Sequence, residues 1–267
     1  MIKRMTFLLR LCITLQILLA FYPYILNAET LTLNDTSTVF DGSMYGSSNC
    51  DGEGGGNCQY FNFGGCDHFI VGKVAVHIAT VYRSLMGFDL SGLPDHDGIE
   101  IDSAFLTLRM FYAAEPDSTL NLGFQCLKHN VIEGTTCSYG NAADSSFTWK
   151  ARIFKEDSDT ILWQIAGAKG SDDRNDSIYA VSPVIGGTGA YRIDFKGLVE
   201  YWMDSSATER WCVLADTTTL GGGKAYAEKY FYSSETSTAS NRPKLEIFYH
   251  NKPGRWRHHV LSGGLVK

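Results

Sequence analysis

The chain has 267 residues, of which 44% are hydrophobic and 19% are charged, so one domain can bury a sizeable core. The formal net charge is −6. Because phosphate-binding proteins draw their affinity from clustered Lys and Arg, this acidic balance argues against a nucleic-acid function.

Residues 1–28 predict a secretory signal peptide. Lys3 and Arg4 precede a largely apolar run from Phe7 to Ile25, and Ala28 stands before polar residues. An uncleaved membrane anchor is the alternative, because the apolar run approaches spanning length. Cleavage would remove three basic residues and no acidic one, changing the charge from −6 to −9. We therefore expect an acidic, extracellular mature protein with no membrane association.

The first strand is predicted at residues 31–40, with an N-glycosylation sequon at Asn34. A Gly-rich segment at residues 42–65 follows, and it cannot hold regular structure without help. Disulfides are the expected help, because loss of the signal peptide leaves an even number of cysteines: Cys50, Cys58, Cys66, Cys126, Cys137 and Cys212. Short separation favours Cys126 with Cys137 and one pair among the first three cysteines, whose third member would meet Cys212. Sequence alone permits 15 connectivities.

The most regular stretch runs from Val81 to Tyr112. Ser84, Met86 and Phe88 share one side of an extended chain, and Leu106 and Leu108 belong to a second alternating run. This periodicity predicts two strands of a hairpin that packs onto one core. Turn residues at positions 92–98 separate the two runs.

The remaining chain predicts further short strands and long loops. Strands are expected at 70–81, 121–127, 191–195, 211–215, 226–234 and 245–249. A loop closed by the 126–137 bridge should cover one end of the fold at 131–149, and residues 149–182 should form a loop with short strands. A short helix should follow Phe195, placing both Phe195 and Trp202 in the core. The sequence thus predicts an all-β, jelly-roll-like antiparallel β-sandwich at 29–251 and a basic C-terminal tail at 252–267.

Three segments suggest a family. They are RSLMGFDLSGLP at 83–94, IDSAFLTLRMFY at 101–112 and FYSSETSTASNRPKLEIFY at 231–249. They resemble, in order, the signature segments of secreted DNRLRE domains, also grouped as carbohydrate-binding module family 96. The resemblance spans about Thr36 to Tyr249. It implies an all-β domain that binds a polysaccharide without catalysis, although the literal letters Asp-Asn-Arg-Leu-Arg-Glu are absent.

No catalytic site is predicted. The chain has no Gly-x-Ser-x-Gly motif, and carboxylates such as Asp89, Asp102 and Glu200 form no recognisable acid–base pair. No cofactor is predicted either, apart from a structural calcium ion among the oxygens of residues 172–176. A solvated acidic turn is the alternative there. The same turn contains a second sequon, at Asn175.

Four strand residues are the candidate carbohydrate contacts: Arg83, Arg109, Phe105 and Phe111. Aromatic faces stack on sugar rings, and a guanidinium binds the carboxylate of an acidic sugar in a bidentate manner. Two alternatives stay open: Arg83 buried against Glu235 as a structural tie, and a binding face around Tyr60 and Phe61. We expect a secreted carbohydrate-binding module. A structural or adhesive surface protein is the second hypothesis, and a polysaccharide-degrading enzyme is less favoured.

Overall fold

The computed structural model describes residues 28–47, 60–74, 80–114, 119–142, 145–156, 159–175, 177, 180–183, 185–204, 210–216 and 228–252. The strands in this part of the chain are β1 (Glu29–Leu33), β2 (Val39–Ser47), β3 (Phe61–Asn62), β4 (His68–Val74), β5 (Thr80–Phe88), β6 (Ile99–Ala113), β7 (Leu122–Cys126), β8 (Ser138–Asn141), β9 (Ala151–Ile153), β10 (Ile161–Leu162), β11 (Ala180–Val181), β12 (Gly189–Asp194), β13 (Trp211–Asp216), β14 (Lys229–Tyr232) and β15 (Lys244–Asn251). One α-helix, α1 (Lys196–Asp204), and 3₁₀ turns at His96–Gly98 and Ala239–Asn241 complete these elements.

Within the described residues, eleven strands form one curled antiparallel sheet. Its order is β1-β15-β6-β14-β4-β5-β13-β7-β11, with β12 also beside β6 and β2 also beside β5. Strand β4 passes from β14 to β5 at Gly72, whose φ of 129° lies where side chains are strained. The sheet folds onto itself around a core, which confirms the predicted all-β sandwich.

The main core lies between the two halves of this sheet. Met86 and Phe88 on β5 pack in the same buried cluster as Leu106 and Leu108 on β6. The predicted alternation is therefore correct, but the predicted hairpin is wrong. Strand β5 pairs with β2, β4 and β13, whereas β6 pairs with β12, β14 and β15.

Helix α1 begins directly after Phe195, where the sequence predicted a change of period. Phe195 and Trp202 are both buried, and their ring centroids lie 6.0 Å apart. Trp202 also packs 5.9 Å from Phe88, and its Nε1 donates to Cys126 Sγ at 3.2 Å. Both residues occupy the core, as predicted.

A second apolar cluster covers the outside of β2, β5 and β13. The segment 127–174 lies over this surface and contributes Phe147, Trp149 and Trp163. Gly46 permits the close approach, because a Cβ there would lie 2.1 Å from the Trp149 ring. The segment therefore covers a sheet face, whereas the sequence predicted a loop over one end of the sandwich.

The predicted disulfide between Cys126 and Cys137 is wrong. Cys137 is bonded to Cys66, with Cα atoms 4.8 Å apart. Cys126 and Cys212 are buried thiols that face each other on neighbouring strands β7 and β13, so the predicted bond from Cys212 to one of the first three cysteines is also wrong. Cys50 and Cys58 lie outside the described residues.

Most of the predicted signal peptide also lies outside the described residues, and so does the basic tail beyond Lys252. In the part of the chain that is described, no helix has the length and hydrophobicity needed to cross a membrane.

Candidate functional site

The outward side of β6 is the most distinctive exposed surface of the sheet. Alternation turns Leu106, Leu108 and Met110 into the core, so Arg109 and Phe111 point away from it. Phe111 is 38% exposed. The structure thus places Arg109 and Phe111 together on one open face, as the sequence predicted.

A β-bulge widens this face. Tyr230 of β14 pairs with Tyr112, but the next residue, Phe231, pairs with Met110. Phe111 is therefore the extra residue on β6, and a bulge of this kind breaks strict alternation. As a result, two consecutive aromatic residues are exposed, and Tyr112 is 50% accessible.

Rings from three strands join at the bulge. Phe111 lies 4.6 Å from Tyr232, 6.2 Å from Tyr230 and 6.0 Å from His68, measured between ring centroids. Tyr230 in turn lies 5.2 Å from Tyr112 and 5.6 Å from His68. We call these five residues the aromatic face. Every one of them is exposed or half-buried.

Arg109 borders the aromatic face. It forms no hydrogen bond or ion pair with any residue that the structure describes. Phe231 of β14 pairs with Met110 of β6. Because the strands are antiparallel, Tyr232, one residue after Phe231, and Arg109, one residue before Met110, are adjacent on the outward side. An exposed guanidinium next to aromatic rings is suited to a ligand that combines apolar faces with acidic groups.

Beyond His68, the surface dips into a recess of about 220 Å³. Ile70 and Tyr82 line one side of it, and the Cys66–Cys137 disulfide lies on another. His68 is shared by the recess and the aromatic face. Its Nδ1 lies 2.8 Å from Asp67, so a carboxylate able to accept hydrogen bonds stands beside the rings.

Phe105 does not belong to this surface, which corrects the sequence prediction. Its ring is half-buried, and the Arg192 guanidinium lies 3.4 Å from the ring centroid. Phe248 packs against it edge-on at 6.5 Å. Because these two neighbours cover the Phe105 ring, it offers no free surface for stacking on a sugar.

Arg83 is also not a ligand contact, because only 3% of it is exposed. Its Nη1 donates to the Gly167 carbonyl at 2.6 Å, and its guanidinium lies 5.3 Å from the Trp149 ring. Burial and the nearby Arg174 charge lower the pKa of Arg83 to about 10. Arg83 therefore holds the covering segment in place. It does not pair with Glu235, whose side chain accepts a hydrogen bond from the Ser234 hydroxyl.

The two sequon asparagines differ. Asn34 is exposed in the turn between β1 and β2. Asn175 is half-buried, and its Nδ2 donates to the Tyr201 hydroxyl at 2.6 Å. A glycan on Asn175 would have to break this contact.

The predicted calcium turn is organised around backbone hydrogen bonds. Asp173 is buried, and its carboxylate accepts N–H groups from Gln164, Ile165 and Gly170. The Asp172 carboxylate instead accepts a hydrogen bond from Gln164 Nε2 at 3.0 Å, and Asp176 lies outside the described residues. The calcium site at this turn therefore stays a prediction.

His68, Tyr230 and Tyr232 were not among the predicted carbohydrate contacts. A signal was present, since Tyr230 and Tyr232 flank Phe231 with the alternation of a strand. What the sequence could not show is that β14 lies between β6 and β4.

The chain matches no protein-family model and no curated protein. The resemblance to DNRLRE domains therefore rests on the sequence segments described above.

Proposed function

We propose that this protein is a secreted, non-catalytic carbohydrate-binding module that holds an extracellular or cell-wall polysaccharide along the aromatic face. The observation that supports the proposal best is the cluster of five contacting rings outside an already complete core. Large apolar side chains stabilise the fold most when buried, so their clustering on a surface favours a binding role. Sugars suit such a surface, because their apolar ring faces stack on aromatic rings.

Arg109 favours an acidic polysaccharide. The protein is acidic overall, so a polyanion is attracted only where positive charge is local and unpaired. Arg109 meets this condition within the described residues, and it lies two residues from Phe111, or about 7 Å along the strand. A uronic acid unit bound to Arg109 would bring its neighbouring sugar onto Phe111.

The family resemblance supports the same face. The segment IDSAFLTLRMFY lies in β6, and the segment that begins FYSSE starts at Phe231 in β14. These are two of the three strands that form the aromatic face.

Affinity electrophoresis against acidic and neutral polysaccharides tests the proposal. We expect Phe111→Ala to weaken retention about tenfold, which corresponds to about 1.4 kcal/mol of binding free energy. Leu162→Ala is the matched control, because Leu162 is 50% exposed but lies on β10 in the covering segment. Equal retention of folded Phe111→Ala, Tyr230→Ala and wild-type protein would refute this placement of the site.

A structural or adhesive role is the second candidate, because exposed aromatic residues are also enriched at protein–protein interfaces. Sedimentation of the purified protein separates the two. Assemblies that dissociate in Phe111→Ala would support adhesion, whereas a monomer that binds polysaccharide would support the module. Release of reducing or unsaturated ends from a polysaccharide would instead indicate a degrading enzyme.

A further inference from the structure

Three acidic side chains from distant parts of the chain converge, one of them buried and two half-buried. They are Asp41 on β2, Glu133 in the covering segment and Glu235 just after β14. One carboxylate oxygen from each lies within 4.8 Å of the other two. Like charges at this distance repel, so the arrangement needs a compensating positive charge or protons.

Two of these side chains have oxygens without a partner. Asp41 is completely buried, and its Oδ1 accepts no hydrogen bond from any described residue. The same holds for the buried Oε2 of Glu235. Buried carboxylate oxygens are normally hydrogen-bonded or bound to a metal, because leaving them without a partner costs free energy.

The surrounding backbone fixes these carboxylates in place. Buried Asn62 donates from Nδ2 to the Glu133 carbonyl at 2.7 Å, and Thr136 in turn donates to Asn62. The Ser234 N–H donates to Asp41 Oδ2 at 2.9 Å. Glu133 also accepts the Asp41 N–H, which leaves Asp41 Oδ1 and Glu235 Oε2 as the oxygens without a partner among the described residues.

We propose that Asp41, Glu133 and Glu235 bind one calcium ion. Calcium coordinates oxygen ligands at 2.3–2.6 Å, so two ligands of one ion lie at most about 5 Å apart. The 4.8 Å limit observed here fits that span. Magnesium, with shorter bonds of about 2.1 Å, would fit only if all three oxygens lay within about 4.2 Å of one another. Zinc prefers nitrogen and sulfur ligands, and this trio supplies none.

Such an ion would join three segments that are far apart in the sequence. It would fasten the edge strand β2 to the covering segment and to the turn after β14. Glu235 is three residues from Tyr232, so calcium would also stabilise the strand end that carries part of the aromatic face. The site is separate from that face, and calcium binding does not depend on the proposed function.

Calorimetric titration of metal-free protein with calcium chloride, without polysaccharide, tests the site. We expect one saturable site per chain. We also expect the thermal midpoint to rise by about 5–10 °C when free calcium is one hundred times Kd. Magnesium at the same concentration should produce a smaller rise. A wild-type protein that shows no saturable site overturns the proposal, and this result needs no variant to fold.

Two variants assign the ligands. Glu133→Gln and Asp41→Asn keep the side-chain shapes but remove a negative charge, and each should abolish the calcium-induced rise. Glu246→Gln is the matched control, because its carboxylate is engaged by Lys244 at 3.0 Å on the surface. A rise that persists undiminished in folded Glu133→Gln would overturn the assignment. Phe111→Ala should lose polysaccharide retention yet keep calcium binding, so the two proposals can fail independently.

Discussion

Both halves of the curled sheet consist of antiparallel strands, but their outer surfaces differ: one is covered by another segment and the other is open. Outside β2, β5 and β13, the segment 127–174 covers the sheet and forms a second core that includes Trp149 and Trp163. Outside β6, β14 and the start of β4, no described segment covers the rings of the aromatic face. An outward aromatic residue is thus a core residue on one half and a candidate binding residue on the other.

Two strand arginines make the difference concrete. Arg83 and Arg109 were predicted to have the same role, and both are on strands of the sandwich. Arg83 is buried under Trp149 with the Gly167 carbonyl as its acceptor, whereas Arg109 is exposed. Residue type and strand parity do not distinguish these outcomes, because a segment far along the chain decides which face is covered.

The largest expected effect concerns the covered half. Trp149→Ala should lower the free energy of unfolding by about 3–5 kcal/mol, because it leaves a cavity against β2 and removes the ring that covers Arg83. Tyr112→Ala should cost about 1 kcal/mol or less, because half of Tyr112 is already exposed. Urea denaturation of both variants gives the two values. Similar losses would contradict the division into a covered and an open half.

The acidic trio lies where the covered half meets the turn after β14, and it predicts a pH dependence in the absence of metal. Burial, Glu235 and Asp41 raise the pKa of Glu133 from 4.5 to about 9. Burial, first of all, also raises the pKa values of Asp41 and Glu235. Between pH 4.5 and about 9, the folded state therefore holds a proton on Glu133 that the unfolded state has lost.

It follows that metal-free protein should become less stable as pH rises through this window. Each such proton changes the free energy of unfolding by at most about 1.4 kcal/mol per pH unit. Urea denaturation in a chelating buffer across the window measures the slope, and Glu133→Gln should flatten it. A wild-type stability that increases toward alkaline pH would contradict the expected sign.

The two arginines should separate stability from binding. Arg83→Ala should cost about 1–3 kcal/mol of stability, because the buried Gly167 carbonyl loses its charged donor. Arg109→Ala should leave the unfolding midpoint unchanged and weaken binding to acidic polysaccharide about fivefold, or about 1 kcal/mol. The Arg109 effect should shrink as salt is raised, because exposed charges are screened. A neutral polysaccharide is the control ligand, and an equal loss on it would point to a contact other than charge.

Local pattern was sufficient to predict strands β5 and β6, the helix after Phe195 and the outward orientation of Arg109 and Phe111. The single strand predicted at 31–40 was wrong, because a turn separates β1 from β2, and β2 continues to Ser47 in the Gly-rich segment. Contacts between distant segments were not predictable in this way. Cys137 pairs with Cys66, which is 71 residues away, although Cys126 is much closer in sequence. The acidic trio likewise joins positions 41, 133 and 235, and no spacing in the sequence links them. The bulge at Phe111 depends on pairing with β14, and strict alternation would instead turn Tyr112 to the same side as Met110.

The smallest expected effect tests whether a covering group alone removes a ring from the binding surface. Phe105 lies on β6 with the same outward parity as Arg109 and Phe111, but the Arg192 guanidinium covers it at 3.4 Å. Arg192→Ala should cost about 0.5–1 kcal/mol of stability, the usual range for an exposed cation–π contact.

The same substitution should also uncover the Phe105 ring, about 20 Å along the strand from Phe111. If exposed rings bind sugar, long polysaccharides should then be retained about twofold more strongly, a gain of about 0.4 kcal/mol. Oligosaccharides too short to reach Phe105 should show no gain and serve as the control. A gain that persists in Arg192→Ala/Phe105→Ala would instead show that Arg192 itself opposes binding, and that covering does not explain the difference between Phe105 and Phe111.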